Sequence, residues 1–442
     1  MPLKPLFIAL GLVFATSAHS ANLGDVYRDA FTYDAQYAAA RAAYQAGLEK
    51  LPQGRAGLLP NVNLGGNVQW NDVTSDTPGV DASYSSSGLA LSAAQPLFRR
   101  QNWVHYEQAK LQVKLAETQL KIAEQDLILR TARAYFDVLQ VHDNIRFTRA
   151  QMDAITEQLA SAKRNFEVGT ATIIDTHEAQ ARFDLARSQE IAEQNNLAIR
   201  QYGLEKIIGK PATGLAPLGD KVLLRAPEPP AIEDWVSLAD QHNLQADIQR
   251  TAKLIADQQV EFNRAGHYPT LDAVASYNLN NNQSVGSLGL ARTDVRTAVV
   301  GLQLNLPIYQ GGLVSSQVRE AVANQEKARF DLDNALREAS LLARQSYLDF
   351  TSGQARAQAL EQALVSSQAQ LDSTKLGMQV GVRTSLDVLN AEQQVHLTQR
   401  DLAAARYNLI LAGLSLKATA GALSAQELAV VDQYLSAPAA VK

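Results

Sequence analysis

The sequence contains no cysteine. That absence excludes disulfides, thiolate metal sites and the attachment of a lipid to an N-terminal cysteine. The formal net charge is only −5, which argues against nucleic acid as a partner. Beyond the N-terminal segment, no apolar run reaches the roughly 18 residues of a membrane-spanning helix, so a mature chain that crosses a membrane must do so as β-strands.

Sequence motifs of enzymes are also missing. The seven histidines are scattered and form no His-Glu-x-x-His, and there is no Gly-x-Ser-x-Gly and no phosphate-binding loop. We therefore predict that the protein is not an enzyme and uses no metal or cofactor.

The N-terminus has the pattern of a secretory signal peptide. Lys4 precedes an apolar stretch from Leu6 to Ala15, and small residues follow at Ala18 and Ser20. We predict a signal peptide at 1–20, with cleavage after Ala21 as a second option. A membrane anchor is disfavoured because the apolar stretch is too short to span about 30 Å.

Proline and glycine are absent from two long stretches. None occurs from Leu97 to Val168, and Gly353 stands alone between Leu313 and Leu376. Such stretches predict helices about 100 Å long. Each is followed by a glycine-containing turn and a second helical segment, so we predict long hairpins at 98–208 and 313–420.

Between the helical segments, apolar and polar residues alternate. Val62, Leu64, Val68 and Trp70 are interleaved with asparagines, and the same period recurs further on. The pattern predicts strands at 61–70, 84–97, 271–279 and 295–306, separated by polar loops. Each strand has one apolar face, as a tilted membrane strand requires, although a small soluble sheet over a core has the same pattern. Amphipathic helices are predicted over Asn22–Arg55 and Ala231–Arg264.

The chain repeats itself. Tyr135, Gly169 and Asp175 correspond to Tyr347, Gly381 and Asp387 at an offset of 212, and Pro60 corresponds to Pro269 at 209. So constant an offset indicates a tandem duplication. We divide the chain into repeat 1 at 21–220, repeat 2 at 221–430 and a C-terminal tail at 431–442. Because four strands cannot close a barrel and an open edge is not tolerated in lipid, several chains must close one barrel together.

The order of elements and the motif Val380-Gly381-Val382-Arg383-Thr384-Ser385-Leu386-Asp387 resemble the TolC family of outer-membrane efflux and secretion channels. The resemblance covers essentially the whole mature chain. It implies an α+β membrane protein that forms a homotrimer, with a helical barrel in the periplasm continuous with a 12-stranded outer-membrane β-barrel. It also implies a periplasmic adaptor, an inner-membrane pump of the ABC or RND type, and outer-membrane lipid as partners.

The same resemblance assigns roles near the hairpin tips. Asp387 and Asn390 match positions that constrict the periplasmic entrance, with Asn390 where relatives carry a second acid; for Asp387, a helix N-terminal residue is the alternative. Arg383 and Asp175 match a closed-state latch, although a latch tyrosine is replaced by Met378 and a solvated arginine is the alternative. The turns and adaptor contacts are expected at Gly169, Thr170, Gly381 and Val382; the glycines either require positive φ or are merely permissive there.

These expectations predict an outer-membrane exit duct for type I secretion or multidrug efflux, extending into the periplasm. The lack of an acylation cysteine matches the unlipidated branch of the family, while the transported substrate stays undetermined. A periplasmic coiled-coil adaptor or scaffold is the alternative, but an adaptor has one hairpin flanked by the halves of a small β-domain.

Overall fold

The computed structural model of the chain describes residues 21–74, 81–170, 172–219, 227–286 and 289–435, with side chains throughout except at 282–293. The predicted signal peptide at 1–20 lies outside the described residues. In chain order the elements are α1 (Leu23–Tyr33), α2 (Ala35–Leu48), α3 (Lys50–Ala56), β1 (Asn61–Val73), β2 (Ala82–Phe98), α4 (Arg100–Glu167), α5 (Ile173–Ile208), α6 (Ile232–His242), α7 (Leu244–Arg264), β3 (Thr270–Gly286), β4 (Gly289–Asn305), α8 (Leu313–Gln379), α9 (Ser385–Thr419) and α10 (Gln426–Asp432).

The helical segment that opens each repeat is interrupted, where the sequence predicts one continuous helix. Asp34 separates α1 from α2 in an extended conformation, and its Oδ1 accepts the Tyr37 N–H at 2.7 Å. Asn243 separates α6 from α7, and its Oδ1 accepts the amides of Gln245 and Ala246. Asp and Asn are strong N-caps because their oxygens satisfy amides that have no partner inside the helix. Each interruption therefore starts a new helix.

A second interruption in repeat 1 has a different cause. α2 ends at Leu48 and α3 begins at Lys50. Pro52 has no N–H, and a proline ring clashes with the carbonyl four residues earlier, here that of Leu48. Because proline is tolerated in the first turn of a helix, α3 can begin just ahead of it.

The four strands form one antiparallel sheet in the order β1-β2-β3-β4. They are longer than the predicted ranges 61–70, 84–97, 271–279 and 295–306, and only β4 ends earlier, at Asn305. The predicted loop at 280–294 is therefore wrong over most of its length. Its polar residues do not end the strands, because each backbone is paired with a neighbouring strand and strand preference depends on that context.

Pro96 lies inside β2, near the end of the predicted range 84–97. The strand continues to Phe98, with a shift of register between Pro96 and Phe98 opposite β3. Proline cannot donate to a ladder of hydrogen bonds, and an irregularity of this kind is where a strand accommodates one.

The long helices form two hairpins, α4 with α5 and α8 with α9. α4 contains 68 residues and α8 contains 67, so each is about 100 Å long. The first hairpin begins at Arg100 and the second ends at Thr419, within two residues of the predicted bounds.

Packing divides the chain into two compact units. The first comprises Met1–Ala38, Glu124–Ala239 and Leu342–Lys442, and the second comprises Ala39–Ala123 and Asp240–Leu341. The hairpin tips belong to the first unit and the sheet to the second. Both α4 and α8 contribute to both units.

Two equivalent tyrosines hold the connection between the repeats. The buried Tyr135 donates its hydroxyl to the Ala216 carbonyl at 2.8 Å, and Tyr347 donates to the Pro230 carbonyl at 2.5 Å. A buried tyrosine hydroxyl needs such an acceptor. The sequence repeat at this position therefore corresponds to a shared contact.

The predicted C-terminal tail at 431–442 is not all tail. Its first residues complete α10, and Asp432 accepts the Leu23 and Gly24 amides at 2.9 and 3.1 Å. Asp432 thus satisfies amides at the start of α1. Residues 436–442 lie outside the described part of the chain.

Candidate functional site at the hairpin tips

The first hairpin turns through a glycine with left-handed backbone geometry. Gly169 has φ 77°, its N–H donates to the Phe166 carbonyl at 3.0 Å, and the Thr170 N–H donates to the Asn165 carbonyl at 2.8 Å. These two bonds define a Schellman C-cap, which satisfies carbonyls left open at a helix end.

The second tip has the same motif. Gly381 has φ 80°, its N–H donates to the Met378 carbonyl at 3.1 Å, and the Val382 N–H donates to the Gly377 carbonyl at 2.9 Å. A Cβ at either Gly169 or Gly381 would meet no atom within 4 Å. Positive φ therefore explains these glycines better than crowding does.

The returning helix of each hairpin begins with a carboxylate three residues beyond its threonine N-cap. Asp175 Oδ2 accepts the N–H and hydroxyl of Thr172, both at 2.9 Å. Asp387 Oδ2 accepts the N–H and hydroxyl of Thr384 at 2.9 and 3.0 Å, and the Asp387 N–H donates to the Thr384 hydroxyl at 3.2 Å. This is the capping-box arrangement with Asp at the third position.

Asp387 is therefore a helix N-terminal residue, which the sequence analysis gave as the alternative to a role at the channel entrance. The Thr384 amide and then its hydroxyl lower the pKa of Asp387, and the positive charge of Arg383 adds to the effect. The carboxylate is ionised at neutral pH, so capping and a second electrostatic role are compatible.

Asp387 and Asn390 lie three residues apart, on the side of α9 away from its packed neighbours. Val388 packs with Leu371 of α8, while Leu389 packs with Ile155 of α4 and Ala186 of α5. Asn390 is exposed. Burial of the opposite side fixes the rotation of α9, which leaves Asp387 and Asn390 on a face free to meet other groups.

Arg383 and Asp175 are not joined within the described part of the chain. The hydrogen bonds of Asp175 use only Oδ2, so Oδ1 is available to a donor from outside the hairpin. Arg383 is exposed, and its N–H donates to the Gly377 carbonyl at 3.1 Å. The predicted latch stays a prediction that requires a second subunit.

Sequence reasoning overlooked the apolar character of both tips. Val168 is 72% exposed and Val382 is 75% exposed, and Ile174 and Val380 are similarly open. Valine and isoleucine in a turn of otherwise polar residues were the available signal. Such a patch is typical of a surface that binds another protein.

The described residues offer neither a metal site nor a membrane-spanning helix. They contain no group of three or more histidine or acidic side chains arranged to hold a metal ion. No helix within the described ranges is long and apolar enough to cross a membrane.

Comparison with known proteins identifies the family. The family of outer membrane efflux proteins matches residues 26–210 and 236–422. The chain belongs to this family. It is 32% identical to outer membrane protein TolC of Vibrio cholerae over 434 residues, 98% of each chain. It is also 33% identical to the alkaline protease secretion protein AprF of Pseudomonas aeruginosa, over 96% of this chain and 90% of the relative.

Solved structures of outer-membrane channels share the fold. The CmeC outer membrane channel of Campylobacter jejuni aligns with a TM-score of 0.78 at 14% identity, covering 99% of this chain and 98% of that one. VceC of Vibrio cholerae aligns with a TM-score of 0.76 at 19% identity, covering 90% and 96%. The predicted family and fold class are confirmed. The protein is an outer-membrane efflux channel component that extends into the periplasm, and the adaptor alternative is not favoured.

Proposed function

We propose that three copies of this chain form one exit duct of a tripartite type I secretion or multidrug efflux system. Each copy contributes four strands to a shared barrel of twelve in the outer membrane and two hairpins to a helical tube in the periplasm. A periplasmic adaptor and an inner-membrane pump of the ABC or RND type open the duct at the hairpin tips. The observation that carries this proposal is the sheet, which has an exposed apolar face and two unpaired edges.

The apolar face supports contact with lipid. Leu64 of β1 is 68% exposed and Leu302 of β4 is 70% exposed, and Val62, Val300 and Leu304 are also open. The strand register places these side chains on one face. Large exposed apolar patches mark interaction surfaces, and alternation of this kind is the pattern of membrane strands.

The opposite face supports a water-filled interior. Asn63, Asn67, Ser92, Asn278 and Asn280 share this face through the register. They are polar and uncharged, and Asp272, at one end of the same face, is ion-paired with Arg99, so this wall hydrates a passage with little net charge.

The sheet edges support assembly with other copies. β1 and β4 each have one neighbouring strand in the sheet. Their free edges carry unpaired backbone groups, which the membrane does not tolerate. Pairing of β4 with β1 of the next copy satisfies both edges, and three copies close a barrel of twelve strands.

The predicted residues at the hairpin tips have three roles in the assembled duct. Three copies of Asp387 form a ring that attracts cations, and Asn390 forms a neutral second ring. Arg383 pairs with Asp175 of a neighbouring hairpin through the available Oδ1. The exposed Val168 and Val382, with Thr170, Gly169 and Gly381 in the turns, contact the adaptor.

The names of the relatives point to two kinds of transport, protein secretion and efflux. AprF and the proteases secretion protein PrtF of Dickeya chrysanthemi, 30% identical over 421 residues, are named for protein secretion. The protein BepC of Brucella suis is named for efflux. The polar sheet face accommodates either cargo, because its named side chains are uncharged and Asp272 is buried and ion-paired with Arg99.

Single-channel conductance in planar bilayers tests the proposal. The wild type is expected to give a small, cation-selective conductance, and Arg383→Ala combined with Asp175→Asn is expected to raise it. Asparagine keeps an oxygen for the Thr172 cap, so the change removes the charge pair and retains the capping acceptor. Thr172→Ala is the matched control, because it weakens the cap without touching the charges.

Each result has a clear meaning. Absence of channels from correctly folded trimers would refute the duct. Conductance that is unchanged in the double variant would leave the duct standing and refute the latch. An equal rise in Thr172→Ala would attribute the effect to loss of the cap.

A further inference from the structure

One arginine interrupts the apolar face of the sheet. Arg296 of β4 pairs with Leu279 of β3, which pairs with Leu89 of β2 and through it with Gly66 of β1. Side chains directly opposite one another share a face. These four residues form one row across the sheet. From this row to the row that contains Leu304, Arg296 is the only charged side chain on the apolar face of the described strands.

Arg296 has no internal partner. Its side chain is exposed and makes no hydrogen bond or ion pair with the described part of the chain. Its nearest cross-strand neighbour, Leu279, offers no acceptor. An arginine held this way presents all its donors to the surroundings.

The row of Arg296 lies where the apolar face ends. The next row outward contains Val68, Ser87, Asn281 and Asp294, and the row after that contains Trp70 and Ser85. In the other direction, Leu304 is eight positions away, about 27 Å along the strand. The nine residues from Arg296 to Leu304 match the roughly 9–11 that a tilted strand needs to cross the membrane, so Arg296 stands at the rim of this band.

The free-energy cost of a lipid-facing arginine also favours a position of Arg296 at the rim. An arginine facing lipid costs about 2–4 kcal/mol at the middle of the membrane and about 0–1 kcal/mol near the interface. Head-group phosphates lie at the interface, and a guanidinium binds phosphate through two parallel hydrogen bonds.

We propose that Arg296 binds the phosphate of a lipid in the outer leaflet, specifically a phosphorylated glycolipid. The inference rests on the proposed channel, because only an embedded sheet brings Arg296 to lipid. In that channel the long helices extend into the periplasm, so the ends of the strand pairs near Val73 and Gly286 face outward. Arg296 is seven residues from Gly289, the outward end of β4, and so lies at the outward edge of the apolar rows.

Anchoring by acyl chains favours a lipid over free phosphate as the ligand. A lipid phosphate is held at the rim by its acyl chains and reaches Arg296 from the apolar side.

Native mass spectrometry of the full trimer in detergent tests the site. The probe is diphosphorylated lipid A, compared with the same lipid after removal of its phosphates and with inorganic phosphate as competitor. Arg296→Ala is expected to weaken binding of lipid A about tenfold, the loss expected when one charge-assisted contact is removed. Arg296→Lys is expected to retain part of the binding, and Arg187→Ala, an exposed arginine of α5, is the matched control.

Three results would overturn the inference. One is equal lipid A binding by Arg296→Ala and the wild type, and another is equal binding of the dephosphorylated lipid by the wild type. The third is displacement by inorganic phosphate at concentrations comparable to those of the lipid. Conductance of the same preparations separates the two proposals, because a conducting trimer with no lipid preference refutes this site and leaves the channel intact.

Discussion

The two repeats have the same backbone interruption near their starts but stabilise it differently. In repeat 1, Asp34 caps α2 and also accepts two hydrogen bonds from Arg130, both at 3.1 Å. In repeat 2, the neutral Asn243 caps α7, and Leu342 stands where Arg130 is expected. The geometry therefore does not require the Arg130 ion pair, which is an addition specific to repeat 1.

Because of this ion pair, the stability of repeat 1 depends on both Asp34 and Arg130. Asp34 is 6% exposed. Burial raises the pKa of Asp34, but the hydrogen bonds and charge of Arg130, with the Tyr37 and Gln36 amides, outweigh burial and leave the pKa below its usual value. A buried ion pair adds little compared with apolar packing, yet removing one partner is costly because the other charge loses its compensation.

The largest expected effect therefore comes from Asp34→Ala, compared with Asn243→Ala. Asp34→Ala removes a cap and leaves Arg130 with only Asp126, so we expect about 3 kcal/mol of destabilisation. Asn243→Ala removes a neutral cap, and we expect about 1 kcal/mol. Thermal unfolding of the trimer in detergent, followed by circular dichroism, measures the difference.

Asp34→Asn sharpens this comparison, because it gives repeat 1 the cap residue of repeat 2. We expect a loss between those of the two alanine variants. Equal melting temperatures for Asp34→Ala and Asn243→Ala would show that the ion pair contributes nothing and that capping alone distinguishes the sites.

The second prediction concerns a feature that the repeats share. Gly169→Ala and Gly381→Ala force a side chain into positive φ, so each is expected to destabilise its tip by about 1 kcal/mol. Gly353→Ala is the control, because this glycine lies inside α8 and its added Cβ would make an ordinary 3.5 Å contact with Leu409. That change is expected to stabilise the helix by up to about 1 kcal/mol. Hydrogen exchange at the tips and in α8 measures the expected destabilisation and the expected stabilisation. A tip that becomes more stable would contradict the prediction for Gly169 and Gly381.

The contrast between these positions shows what the sequence can predict. Gly169 and Gly381 end stretches with almost no other glycine or proline, so helix length and turn position follow from local rules. The alternation at Val62–Trp70 likewise predicts one face of a strand. These features depend on residues near in sequence.

What the sequence did not predict depends on distant partners. The strands continue through polar residues at 280–286 because β4 pairs with them. Asp34 interrupts a helix-like pattern, and Arg130, ninety-six positions away, pairs with its carboxylate. Asp175 and Asp387 satisfy local caps, and from one chain alone neither a latch nor a ring can be read, because both require groups from a second subunit.

The smallest expected effect lies at the second tip, where Arg383 replaces the Ala171 of repeat 1. The pKa of Asp387 is lowered chiefly by the Thr384 amide and hydroxyl, with a smaller part from Arg383. A carboxyl with a lowered folded pKa contributes stability that is present above its unfolded pKa, about 3.9, and is lost as pH falls through the folded value. The start of α9 should therefore weaken only in acid.

Cation selectivity measured against pH in planar bilayers separates these contributions. The wild type should keep its selectivity to the lowest pH, Arg383→Ala should lose it at slightly higher pH, and Thr384→Ala at higher pH still, because its hydroxyl contributes more than the arginine. In the proposed ring, repulsion among three Asp387 carboxylates would raise the pKa of Asp387 in every variant that retains it, so the order is preserved. Asp387→Asn should abolish the acid-dependent change. If Asp387→Asn keeps the wild-type profile, the selectivity does not arise from Asp387, and the proposed entrance ring is refuted.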